Sequence, residues 1–105
     1  MKRYMQIEVG NKRISSIEFT SVENAWRIKD AFEVIEHFDK NGIVVLGGDI
    51  LTENFEYTYD NWYYNIQPSI SAEENRKRSV RTAVEYIRKY IGINGEAFYV
   101  VFVTK

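Results

Sequence analysis

The chain predicts an α+β fold: a mainly antiparallel sheet with two helices packed on it, in a single domain. Three observations carry that prediction. Two stretches of helical spacing each open on a capping box, Thr20 with Glu23 and Ser71 with Glu74. Apolar or alternating runs of strand length lie before, between and after them. The resulting order, ββαββαβ, is that of helices set against one antiparallel sheet. At 105 residues the chain is long enough for one real core and not for two.

The elements follow in order. Residues 4–9 and 13–19 flank Gly10-Asn11, a pair that tolerates the backbone of a tight hairpin turn. From the first capping box a helix is expected over residues 21–39, stopping at Asn41-Gly42. Ile28, Ala31, Phe32, Ile35 and Phe38 share one face at 100° per residue. Trp26 falls off that face and lies instead with Asp30, Glu33 and His37. Residues 43–46 read as a buried strand that stays extended to Leu51. After a turn at residues 52–54, a second strand returns over residues 55–66. Phe55, Tyr57 and Tyr59 share one phase there, and Trp62, Tyr64 and Ile66 the other. A change of phase near Asp60-Asn61 requires a bulge or a bend, because side chains alternate strictly in a regular strand. The second capping box opens a helix over residues 72–91, apolar at Val80, Ala83, Val84, Ile87 and Ile91 and ended by Gly92. Residues 97–103 are apolar on both phases, as in a central strand.

Composition narrows the functional classes. With 45% hydrophobic and 28% charged residues the chain reads as a soluble globular protein, and no apolar run approaches the roughly 20 residues of a membrane span. The amino terminus starts with the basic Lys2 and Arg3, but Gln6 and Glu8 interrupt any apolar core of a signal peptide. A cysteine-free chain offers no disulfide, thiolate nucleophile or thiolate metal site, and a cytoplasmic protein is the simplest expectation. Net charge is −1 but unevenly placed: +3 over residues 1–16, −7 over residues 17–62 and +3 over residues 63–105. So acidic a middle repels nucleic acid and favours a basic partner.

Catalytic constellations are sparse. His37, the one histidine, sits mid-helix with no serine at a useful spacing. No metal or cofactor is expected, since the acids near Asp49 match no calcium-loop spacing. Gly47-Gly48 is followed by Asp49 where a phosphate would lie, so the pair reads as a backbone bend. The basic residues of the second helix alternate with acids at i,i+4 (Glu74 and Arg78, Arg81 and Glu85, Glu85 and Lys89), the pattern of a solvated face. Glu53, Glu56 and Asp60 leave open a small carboxylate-dependent hydrolase. Against it stands the density of rings among those acids, six aromatics over residues 55–64, which suits a surface that grips another molecule. Trp26 has two readings: covered by the amino-terminal hairpin, or an exposed anchor framed by Asp30 and Glu33.

The succession of strand, Gly47-Gly48-Asp49, aromatic hairpin and Asp60-Asn61-Trp62-Tyr63 resembles the immunity protein 40 family of small bacterial immunity proteins encoded beside polymorphic toxins. The following helix and apolar last strand agree in order, so the resemblance spans roughly residues 20–103. It implies an α+β fold and a non-enzymatic task, binding and blocking a cognate toxin domain. On that expectation toxin contact falls to Asp49, Glu53, Glu56, Tyr57, Tyr59, Asp60, Trp62 and Tyr63. Trp26, Asp30 and Glu33 form a second patch, and Gly47 and Gly48 serve backbone geometry. The protein is expected as a monomer or weak homodimer.

Overall fold

The computed structural model describes residues 4–105; Lys2 and Arg3 of the basic start lie outside the described residues. Strands β1 (Gln6–Val9) and β2 (Lys12–Ser15) form the expected hairpin, with Val9 opposite Lys12. Gly10, the first of its two turn residues, takes φ 62, which fits a two-residue turn with glycine leading. The second strand does not run on to residue 19. Ser16 is buried, accepting from the Met5 amide at 2.8 Å and donating to Asn24 Oδ1 at 3.0 Å, and the chain passes into the other sheet as β3 (Ile17–Glu18).

The helix expected from residue 21 is corrected next. Thr20 Oγ1 does accept from the Val22 amide and donate to Glu23 Oε1. Those contacts close a turn instead, because the Phe19 and Thr20 amides both bond to the Glu23 carbonyl at 3.0 and 3.1 Å. The turn leads into β4 (Asn24–Arg27). Ala25 and Trp26 are neighbours that are both buried, which a strand achieves by sending them to opposite faces. A short 3₁₀ segment (Ile28–Asp30) then precedes α1 (Ala31–Lys40), which buries Ala31, Val34, Ile35 and Phe38.

The remaining elements are β5 (Val45–Thr52), β6 (Tyr57–Tyr63), α2 (Ala72–Asn94) and β7 (Phe98–Thr104). Ser71 Oγ caps α2 by accepting from the Glu74 amide at 3.0 Å. The helix runs past Gly92, whose backbone stays helical, and ends where Gly95 takes φ 86. All pairings are antiparallel, and the five-stranded sheet has the order β3-β4-β7-β5-β6, with β7 central. This is the α+β architecture that the element order implied.

Both helices and the β1–β2 hairpin share a core with one face of that sheet. Trp26, Ile50, Trp62 and Val100 meet Val34, Ile35, Phe38, Ala83, Ile87 and Tyr90 there, together with Ile7 and Ile14 of the hairpin. The opposite face carries no helix. Its small core is Ala25, Leu51 and Val101, roofed by Phe19, Phe55 and Tyr99. Full burial of Leu51 and Val101 contributes about 1.5–3 kcal/mol each.

Candidate functional site

Strand β5 organises the site through its two glycines. Gly48 stands opposite Trp62 on β6 and Phe102 on β7. A Cβ at Gly48 would come within 2.5 Å of the Trp62 ring and 2.9 Å of the Val101 carbonyl. Its absence lets the Trp62 indole lie across the strand, stacked on Tyr86 at 4.9 Å and edge-on to Phe102 at 6.0 Å. Gly47 has φ 157, and a Cβ there would run into the Trp62 carbonyl oxygen, so β6 could not approach. Trp62, expected among the contact residues, is thus a buried ring at 6% exposure.

Asp49 follows on the other face, between Val101 of β7 and Asn61 of β6, where no helix covers it. It is half-buried, and among the described residues none donates a hydrogen bond or ion pair to its carboxylate. Burial raises the Asp49 carboxyl above the usual carboxylate range, and the Glu23 carboxylate raises it further. Tyr57 belongs to the same neighbourhood. Its hydroxyl is raised by desolvation, then by Glu23 and Asp49, and its ring meets Phe19 edge-on at 5.5 Å. The Glu23 charge therefore reaches both Asp49 and Tyr57 on the helix-free side of the sheet. Sequence reading missed Glu23 because the capping-box pattern had already explained it.

The change of ring phase expected near Asp60-Asn61 is a bulge slightly earlier. Asp49 pairs with Asn61 and Leu51 with Tyr57, so one residue of β5 faces three of β6: Thr58, Tyr59 and Asp60. Tyr59 takes φ 69, a left-handed conformation that costs a non-glycine residue about 1–2 kcal/mol. Hydrogen bonds hold the bulge on several sides. Thr58 Oγ1 donates to the Ile50 carbonyl at 2.8 Å and accepts from the Asp60 amide at 3.1 Å. The Tyr90 hydroxyl donates to Asp60 Oδ2 at 2.9 Å. Burial, and then that bond to Asp60, push the Tyr90 hydroxyl up to about 12, so it stays a donor at any physiological pH. Tyr59 itself is 87% exposed, with its ring 6.5 Å from that of Tyr57. Tyr63 is 73% exposed.

The other expected site residues lie apart. Glu53 and Glu56 sit at the exposed β5–β6 turn, closed by Thr52 Oγ1 accepting from the Asn54 and Glu56 amides at 3.2 Å each. Glu53 lines an open cavity of about 270 Å³ with Arg27, Lys29 and Glu96. Asp60 is held against Tyr90 on the helix side, so these three carboxylates do not converge on one reacting centre. The second patch is corrected as well. Trp26 is 2% exposed within the main core and cannot be an exposed anchor. Asp30 and Glu33 meet Lys12 of the hairpin at 3.7 and 3.1 Å. The Glu33 hydrogen bond raises the Lys12 ammonium first, followed by its charge. These acids fasten hairpin to helix.

His37 packs its ring toward Phe38 at 6.2 Å. Among the described residues no group of three or more His, Asp or Glu side chains could hold a metal ion, and no helix is long and apolar enough to cross a membrane. The family model described as Immunity protein 40 matches residues 13–104, most of the chain. No curated protein and no solved structure matches.

Proposed function

The chain belongs to the immunity protein 40 family, and from that membership we propose that it binds a cognate bacterial toxin domain and neutralises it by covering the active site. The docking surface is the helix-free side and free edge of β5–β6. The observation that carries this reading is the set of exposed rings beside acids that form no ion pair among the described residues: Tyr57, Tyr59 and Tyr63 with Asp49 and Glu56. Glu53 at the turn and the exposed part of Asp60 extend it.

The physical logic is that of a hot-spot interface. Tyrosines bring large contact area and lose little rotamer entropy on binding, while carboxylates supply acceptors for a basic cleft. Asp49 has no partner among the described residues, and it is already partly desolvated. A cationic side chain arriving from the toxin offsets both the desolvation of Asp49 and its repulsion from Glu23. Charge complementarity also steers encounter, so association slows as salt rises. The protein acts in the cytoplasm of the producing cell, or of a neighbour receiving the toxin, as a monomer or weak homodimer.

Co-expression with the toxin domain encoded beside it tests the reading. Growth is expected to be rescued and the two chains to co-purify. Continued killing, with no complex recovered, would remove the proposal.

A further inference from the structure

We propose that the bulge of residues 58–60 is a preorganised binding device, in which Tyr59 inserts into the toxin and Tyr90 is a positioning residue that never touches it. The inference rests on the toxin-binding reading above and deepens it.

An edge strand can display tyrosines without strain, as Tyr57 and Tyr63 of β6 do. Tyr59 is different, because it holds φ 69 with a full aromatic side chain. Glycine, asparagine or aspartate would occupy that backbone at lower cost. A strained residue persists only where its surroundings over-determine it, and such positions gather at binding sites. Here the surroundings are explicit. Thr58 ties the bulge to β5 through the Ile50 carbonyl and turns it through the Asp60 amide. Asp60 is tied in turn to Tyr90 of α2. Tyr90 is itself fixed, its ring stacked on Tyr86 at 6.0 Å and edge-on to Phe98 at 5.3 Å. The hydrogen bond thus reaches from the core to the rim and sets the direction in which the Tyr59 ring leaves the surface.

Two consequences identify the mode of contact. A ring already aimed from a fixed backbone loses less entropy on docking than one on a mobile loop. A bulge also breaks the outer edge of β6, so a partner strand cannot pair along its length. Recognition must then pass through side chains. The complementary feature on the toxin is an apolar pocket of phenol size, with basic groups to meet the exposed Glu56 and Asp60 of the same segment.

The experiment uses the full chain and the purified toxin domain encoded beside it. Tyr59→Ala and Tyr59→Gly should each weaken binding at least about 30-fold. Between those two, Tyr59→Gly should melt higher by roughly 4–8 °C, because only glycine relieves the left-handed backbone. At an ordinary strand position the order is the reverse. Tyr90→Phe keeps the ring stack and loses the hydroxyl. It should weaken binding about tenfold and speed hydrogen exchange at the Tyr59 and Asp60 amides. Full affinity in Tyr59→Ala, or Tyr59→Gly melting below Tyr59→Ala, overturns the device. Unchanged affinity and exchange in Tyr90→Phe overturn the positioning role. If the wild type fails to bind the toxin, the toxin-binding reading falls and the anchor with it, while the melting order of the two variants still judges the strained bulge.

Discussion

At the scale of single residues, the Gly47-Gly48-Asp49 tripeptide divides three tasks among three neighbours. Gly47 lets the β6 backbone approach, Gly48 makes room for an indole, and Asp49 faces the helix-free side. Gly48→Ala is therefore expected to cost about 1–3 kcal/mol, read from the urea midpoint, because the new methyl meets the Trp62 ring and the Val101 carbonyl. Asp49 should show the opposite sign. Its carboxyl is raised in the folded state above the ordinary value of 3.8, so the folded chain binds the proton more tightly than the unfolded chain. Stability from this group is complete below pH 3.8 and is lost as pH rises through the raised value. Asp49→Asn should accordingly raise the melting temperature at pH 7, change it little at pH 3, and weaken toxin binding. A variant that melts lower at pH 7 would contradict that account. That the glycines shape the backbone was legible from sequence, since no lysine or phosphate-loop spacing accompanies them. Which glycine does what was not, because the answer depends on the register between β5 and β6.

Elements show where local pattern and tertiary context part. Thr20 and Glu23 do bond to each other, but side chain to side chain and through their backbones, which closes a turn between strands instead of capping a helix. The decisive signal was Trp26, which sat off the helical face because it belongs to a strand. The bulge in β6 was legible as a change of ring phase, since alternation is a local property. Its hydrogen bond to Tyr90 was not, because it joins residues 30 apart in sequence. Asn75 was equally hidden. On a helical wheel it is an ordinary polar residue, but it is buried and holds the loop before α2. Its Oδ1 accepts from the Tyr64 hydroxyl at 2.7 Å and the Gln67 amide at 2.8 Å, and its Nδ2 donates to the Gln67 carbonyl at 3.0 Å. Asn75→Ala strands those groups, so a loss of about 2–3 kcal/mol is expected in denaturant unfolding, with faster hydrogen exchange at Gln67. A loss below about 0.5 kcal/mol would show that water replaces the side chain without penalty.

For the whole molecule, the sheet has two unlike faces. One face is covered by both helices and the hairpin, and the other carries a small core with acids, tyrosines, Arg27 and Val103 around it. The acidic middle third was visible in the sequence, but its placement was not. Asp30 and Glu33 went to the hairpin lysine, while Asp49 lies on the open side within reach of the Glu23 charge. Two tryptophans that looked suited to an interface became core, because glycine spacing and strand pairing gave them room inside. What remained outside are tyrosines. The central claim is that this helix-free, tyrosine-rich side holds the toxin, and the affinity of paired surface variants for the neighbouring-gene toxin domain tests it most directly. Tyr63→Arg alters an exposed ring on that side, and Arg81→Glu alters an exposed charge on α2. Both variants should fold as the wild type does, with at least about 100-fold weaker binding for Tyr63→Arg and wild-type affinity for Arg81→Glu. Wild-type affinity in Tyr63→Arg, with the loss appearing in Arg81→Glu, would place the interface on the helices and not on the tyrosine-rich side.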